Sequence, residues 1–185
     1  MRSVVRRWQL RFLILTLLLP VTGPAIAVAN HDHFNQYDAV ENDHIWYDDR
    51  MDDYHNALKY AKRNWGDLGS VDIRPVPSGR TPTLIVRTYN SNDGLCGQVP
   101  QRSGVLDLWA NHRNIDNGSC GNHAPRTVFL HEMGHGLRIF DHTTTSNWYD
   151  VMYVFMVRHD QYGNVWECPL DLQNHDIHDY RTWWG

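Results

Sequence analysis

The stretch HEMGHGLRIFDH, His131 to His142, decides how the rest of the chain is read. His131 and His135 are four residues apart, so on a helix they share one face and can turn both imidazoles toward a single ion. Glu132 flanks that ion without occupying the same line. It is placed to take a proton from a water activated by the metal and to pass it later to a leaving amine. Pro125 suits the first turn of a helix running through this motif, and FDH, Phe140 to His142, supplies further ligand atoms just beyond it. The spacing predicts one catalytic Zn2+.

Working outward, MDDYHNALKYAKRNWGDLG predicts a preceding helix. Tyr54, Leu58, Ala61, Trp65 and Leu68 recur at spacings of four and three, which places them on one face. Asp52 and Asp53 suit its first turn, and Gly66 and Gly69 its end. VDIRPV and TLIVRTYN read as strands separated by the turn-forming PSGRTP, and GVLDLWANH reads as a third strand. RNIDNGSCGNHAP reads as loop. Residues 30–50 are acidic, histidine-containing and weakly patterned, and are expected to hug the surface, ending in a short strand near Ile45 to Tyr47. No repeats or long linkers divide the chain, so one α+β domain is expected over residues 51–185.

The N-terminus has the order of a secretory signal peptide. Four arginines are followed by the apolar run Phe12 to Val21 and then by the small residues AIAVA, with cleavage expected after Ala27 or Ala29. The apolar run is about half of the ~20 residues a membrane-spanning helix needs, so no stable anchor is expected. Removing residues 1–29 takes four of the 17 basic residues and none of the 21 acidic ones, leaving a net charge near −8. Such a chain is a poor partner for nucleic acid, which demands clustered Lys and Arg. The expected product is a secreted, extracellular, monomeric protein. Export favours a disulfide among Cys96, Cys120 and Cys168; Cys96 with Cys120 would clip a loop, leaving Cys168 over.

At this point the sequence resembles the metzincin metalloproteases, and within them the matrixin-like group, over roughly residues 50–185. TVFLHEMGHGL is similar to their active-site helix. DVMY, Asp150 to Tyr153, is similar to the Met-turn, in which Met152 would underlie the zinc. LQNHDIHDYRTWWG is similar to the helix that closes a matrixin catalytic domain. The resemblance implies a zincin fold with a small mixed twisted sheet. It also implies an extended protein or peptide substrate held along an edge strand near Leu95 to Gln101, and a pocket lined by Val154, Phe155 and Met156. Ca2+ is common in such relatives, but no clear motif supports it here; NSNDG, Asn90 to Gly94, reads as a turn. Trp183 and Trp184 read as packing residues.

Two departures from the pattern matter. The family places glycine where Arg138 stands and histidine where Asp141 stands, with His142 one step later. Glycine there adopts positive φ at little cost, so arginine predicts a turn built differently. With strict spacing Asp141 binds the ion, as in the snapalysin-type proteases. With one residue inserted His142 binds, and Asp141 orients it. The second solution is favoured on ligand chemistry. No cysteine precedes Cys96, so no cysteine switch is expected. The function expected is a secreted zinc endopeptidase with Glu132 as base; the alternative is a catalytically inactive extracellular binding module on the same fold.

Overall fold

The structure is a computed structural model that describes residues 37–102, 104–142, 149–153, 157–159 and 165–185. The expected signal peptide, and Val154, Phe155 and Met156, expected to line a pocket, lie outside the described residues. No helix among the described residues is long and apolar enough to cross a membrane.

The architecture is mixed α/β: an open sheet with a few helices. Four strands form its parallel part: β2 (His44–Asp49) lies between β3 (Asp72–Pro75) and β4 (Leu84–Tyr89), and β7 (Val105–Asn111) lies beyond β4. β1 (Val40–Glu41) turns back antiparallel onto β2. On the far side β5 (Gly97–Gln98) and β6 (Gln101–Arg102) run antiparallel to β7. A separate pair, β8 (Val157–His159) and β9 (Val165–Glu167), forms a small ribbon.

The expectation for residues 30–50 is corrected in part. The segment supplies two strands to the sheet, and Ile45 is completely buried. Its pattern is hard to read because β2 buries only that one residue fully, leaving His44, Trp46, Tyr47 and Asp48 half-covered.

Helix α1 (His55–Gly66) buries Ala57, Leu58, Ala61 and Trp65, the predicted face. It starts later than its sequence suggests. Asp52 and Asp53 precede it, and the Asp53 carboxylate meets His112 Nε2 at 2.7 Å instead of serving the first turn. The stretch expected to be loop after β7 opens with a short helix, α2 (His112–Asp116). Helix α3 (Arg126–Gly136) carries the histidines and is buried on nearly every side, between the sheet and α1. Trp65 fastens the two helices: its indole is fully buried and its Nε1–H donates to Leu130 O at 2.8 Å, satisfying the polar end of a large apolar side chain.

Helix α4 (Asn174–Trp184) closes the chain. Gln173 and Asp176 make a reciprocal capping box at its start. Tyr180 is fully buried and its hydroxyl accepts from Ser70 N and Val71 N, while Trp184 Nε1 donates to Leu137 O. The Trp184 bond holds α4 against the end of α3, which positions the site, and the Tyr180 bonds hold it against the segment between α1 and β3.

Candidate metal centre

Helix α3 places His131 and His135 side by side, their rings perpendicular with centroids 4.8 Å apart. Each ring is aimed by a backbone carbonyl. His131 Nδ1–H donates to Val151 O at 2.8 Å, and His135 Nδ1–H donates to Ile139 O at 2.7 Å. A carbonyl can only accept, so both Nδ1 atoms carry the proton and both Nε2 atoms are turned to a common point. That point faces the Asp141 carboxylate, whose Oδ1 lies 3.0 Å from His131 Nε2 and 3.5 Å from His135 Nε2. Two imidazoles and a carboxylate form a donor set suited to zinc.

The structure therefore brings Asp141, and not His142, to the two histidines, against the sequence preference. The reason lies at Arg138, which takes φ 72°, the left-handed conformation that glycine would supply. Ile139 N then bonds Gly134 O and Arg138 N bonds His135 O, both at 3.0 Å. These are the two bonds of a Schellman ending, so the helix stops as it would with glycine and no residue is inserted. The expectation of a differently built turn is corrected. The Arg138 guanidinium lies 4.1 Å above the ring of Trp183, so a tryptophan expected only to pack also holds the strained residue. Beyond the turn the chain is extended: His142 N bonds Met152 O, and His142 pairs in parallel with Tyr153. Successive side chains of an extended segment point to opposite faces. Asp141 therefore faces the histidines, while His142 points away, fully buried, toward Asp150 and Asp179.

The ionic state follows from these contacts. Burial disfavours charge on His131, but the hydrogen bond to Asp141 and the charge of Glu132 outweigh it and push its pKa up to about 9. Burial also opposes the charge of Asp141, yet hydrogen bonds from His131 and His135 hold its carboxyl well below the usual carboxylate range. Glu132 is raised by burial. Its Oε2 is enclosed with no hydrogen-bond partner among the described residues, a costly arrangement for a carboxylate unless water or an ion completes it.

Glu132 lies directly against the edge of the sheet. A methyl group at Gly97 on β5 would stand 2.5 Å from Glu132 Oε1, so only glycine allows this approach. The strand is clamped in place. Asn111 Nδ2 and Asn114 Nδ2 both donate to Leu95 O, Asn111 N donates to Cys96 O, and Cys96 forms the disulfide with Cys120. Asp93, within the oxygen-rich turn, accepts from Leu95 N and Asn111 Nδ2. Cys168 is buried, and its thiol is pushed up to about 12 by burial and neighbouring carboxylates.

Met152 packs against Gly134 of the histidine helix, fully buried in the turn Asp150–Tyr153. Asp176 anchors that turn from α4, accepting from Val151 N at 3.0 Å and Met152 N at 3.1 Å. Sequence reasoning missed Asp176, Asp179 and His175. The signal available was HDIHD, Asn174's successors His175 to Asp179, which places His175 and Asp179 four apart on one predicted helix face.

No protein-family profile and no curated protein matches the chain. Among solved structures, a chain in the GM1-bound form of the ECX AB5 holotoxin matches with 17% identity and a TM-score of 0.41, covering 76% of this chain and 70% of that one. A likeness at that level assigns neither fold nor function.

Proposed function

We propose that the protein is a secreted zinc-dependent endopeptidase of metzincin-like fold, with His131, His135 and Asp141 as zinc ligands and Glu132 as general base. The observation that carries this reading is the convergence of two Nε2 atoms, each aimed by a carbonyl behind it, on one carboxylate beside a buried glutamate with an oxygen that none of the described residues satisfies. Zinc, when bound, supplies Lewis acidity that polarises a carbonyl and acidifies water.

The protein's own residues do the rest. Glu132 is raised by burial toward the working range of a base, takes the proton of the attacking water, and returns it to the departing amine. The edge at β5 offers backbone hydrogen bonds to an extended peptide, and the close seat of Glu132 against Gly97 brings substrate backbone and base together. Val151 O and Ile139 O keep both histidines in the ligand tautomer throughout. Glu132 is buried with an oxygen that none of the described residues satisfies, which disfavours an inactive binding module with no use for a carboxylate held at such cost.

Cleavage of a mixed peptide library, with and without a zinc chelator and beside Glu132→Ala, tests the proposal. Chelator-sensitive cleavage that is lost in the Glu132→Ala variant supports it. A folded, zinc-loaded chain that cleaves nothing would overturn it in favour of the binding module. Replacing Asp141 by alanine should weaken zinc binding at this centre by at least tenfold, and unchanged affinity would remove Asp141 from the ligand set.

A further inference from the structure

Behind the first cluster lies a second, and it does not depend on the reading just given. His142 comes from the extended segment after α3, Asp150 from the turn beneath the histidines, and His175 and Asp179 from α4. His142 and Asp179 are almost wholly buried, and Asp150 and His175 nearly so. His142 Nδ1, His175 Nδ1 and Asp150 Oδ2 stand 3.2 Å from one another along all three edges of a triangle. Four zinc ligands at about 2.0–2.1 Å in tetrahedral array are separated by roughly 3.3 Å, so this triangle has the size of one face of such a site.

Hydrogen bonding explains the triangle less well than an ion does. A proton on one Nδ1 serves one edge, and protons on both can be accepted by Asp150 Oδ2 only with the two N–H donors held 3.2 Å apart. A cation at the centre serves all three edges together. Charge is compatible with the same reading. Asp150 and Asp179 are enclosed beside two imidazoles, and carboxylates so enclosed require positive charge, which a protonated His142 or a divalent cation supplies. The outer nitrogen of His142, Nε2, meets Asp179 Oδ2 at 3.0 Å, and His175 Nε2 lies 3.9 Å from Asp179 Oδ1. A carboxylate behind a ligating histidine is the usual means of fixing its tautomer and orientation.

We propose that His142, His175 and Asp150 bind a second divalent transition-metal ion, zinc by the chemistry of the donors, with Asp179 as a positioning residue behind the imidazoles. Because its ligands come from three separate segments, this ion would staple α4 and the turn at Met152 to the strand that carries Asp141. Its role is structural: the donors are enclosed.

Metal stoichiometry tests this. The purified chain is stripped with a chelator, dialysed against excess zinc chloride, and its bound zinc counted by mass spectrometry, alongside His131→Ala and His175→Ala. The expected result is two zinc ions in the parent and one in each variant. One zinc that is lost in His131→Ala and kept in His175→Ala overturns the second site and leaves the first intact. One zinc lost only in His175→Ala supports the second site and overturns the first. No zinc in the parent overturns both. Should His175→Ala fail to fold, His175→Gln and Asp150→Asn enter the same count, and two ions in both would equally overturn the proposal.

Discussion

Gly134 and Met152 share one volume: the position a Cβ on Gly134 would occupy is filled by the Met152 sulfur, with Cε 3.0 Å away. The glycine within the HExxH motif is thus the complement of the methionine beneath it. This contact sets the distance between the histidine helix and the turn Asp150–Tyr153, whose Val151 carbonyl orients His131.

Gly134→Ala should therefore overpack this interface. Gly134 is helical, so alanine gains roughly 1 kcal/mol in propensity, yet the steric conflict should outweigh it and leave a net loss of about 1–2 kcal/mol. Urea denaturation of the metal-free chain measures this. A variant as stable as the parent would show that Met152 can move aside at no cost.

The left-handed Arg138 sets two effects against each other. A non-glycine residue there costs about 1–2 kcal/mol, and stacking on Trp183 returns roughly 0.5–1 kcal/mol. Arg138→Gly should be as stable as the parent or slightly more so, whereas Arg138→Ala keeps the strain and loses the stack. The glycine variant should exceed the alanine variant by about 1 kcal/mol or more in thermal or urea unfolding. Equal stability of the two would deny the backbone conformation assigned to residue 138.

Asp176 serves three backbone donors, Val151 N, Met152 N and Gln173 N, from a fully buried position. Removing it leaves those donors without their acceptor at about 1–3 kcal/mol each when buried. Asp176→Ala should cost about 3 kcal/mol or more and loosen zinc at the first centre by moving Val151. An alanine variant within 1 kcal/mol of the parent would exclude this anchoring role.

The ion pair of His131 with Asp141 makes the metal-free chain sensitive to pH. His131 has its pKa raised to about 9 from an ordinary value of 6.5. The stability it contributes is fully present below about 6.5, and is lost as pH rises through about 9. Asp141 is lowered, so its contribution is present above its ordinary value near 3.8 and lost as pH falls below it. The pair is therefore most stabilising between roughly pH 4 and 6.5. Zinc must displace the Nε2 proton, so zinc affinity should rise with pH, by up to about tenfold per unit, until near pH 9. Chelator competition at pH 6, 7 and 8 reads this directly, and a flat profile would contradict the protonated His131.

Much of the site is legible because it is local. A four-residue spacing puts two imidazoles on one helix face in any context, and the amphipathic spacing of Leu58, Ala61 and Trp65 marks the face that packs on that helix. The cysteine count narrowed the covalent pairing to a few choices, among which Cys96–Cys120 is formed. The strand β2 was only partly legible, since a single fully buried residue, Ile45, carries its placement in the sheet.

The residue that faces His131 and His135, and the second cluster, depended on the tertiary structure. The choice between Asp141 and His142 turns on the sign of one backbone angle at Arg138, against that residue's own preference, and on the alternation of side chains in the strand-like segment that follows. Tertiary packing can impose both, and no local pattern reports them. His142, Asp150, His175 and Asp179 lie up to 37 residues apart on three segments. Only the docking of α4 against the turn Asp150–Tyr153 brings their nitrogen and oxygen atoms to within one ion's reach, because that distance is set by the packing between elements rather than by spacing within one.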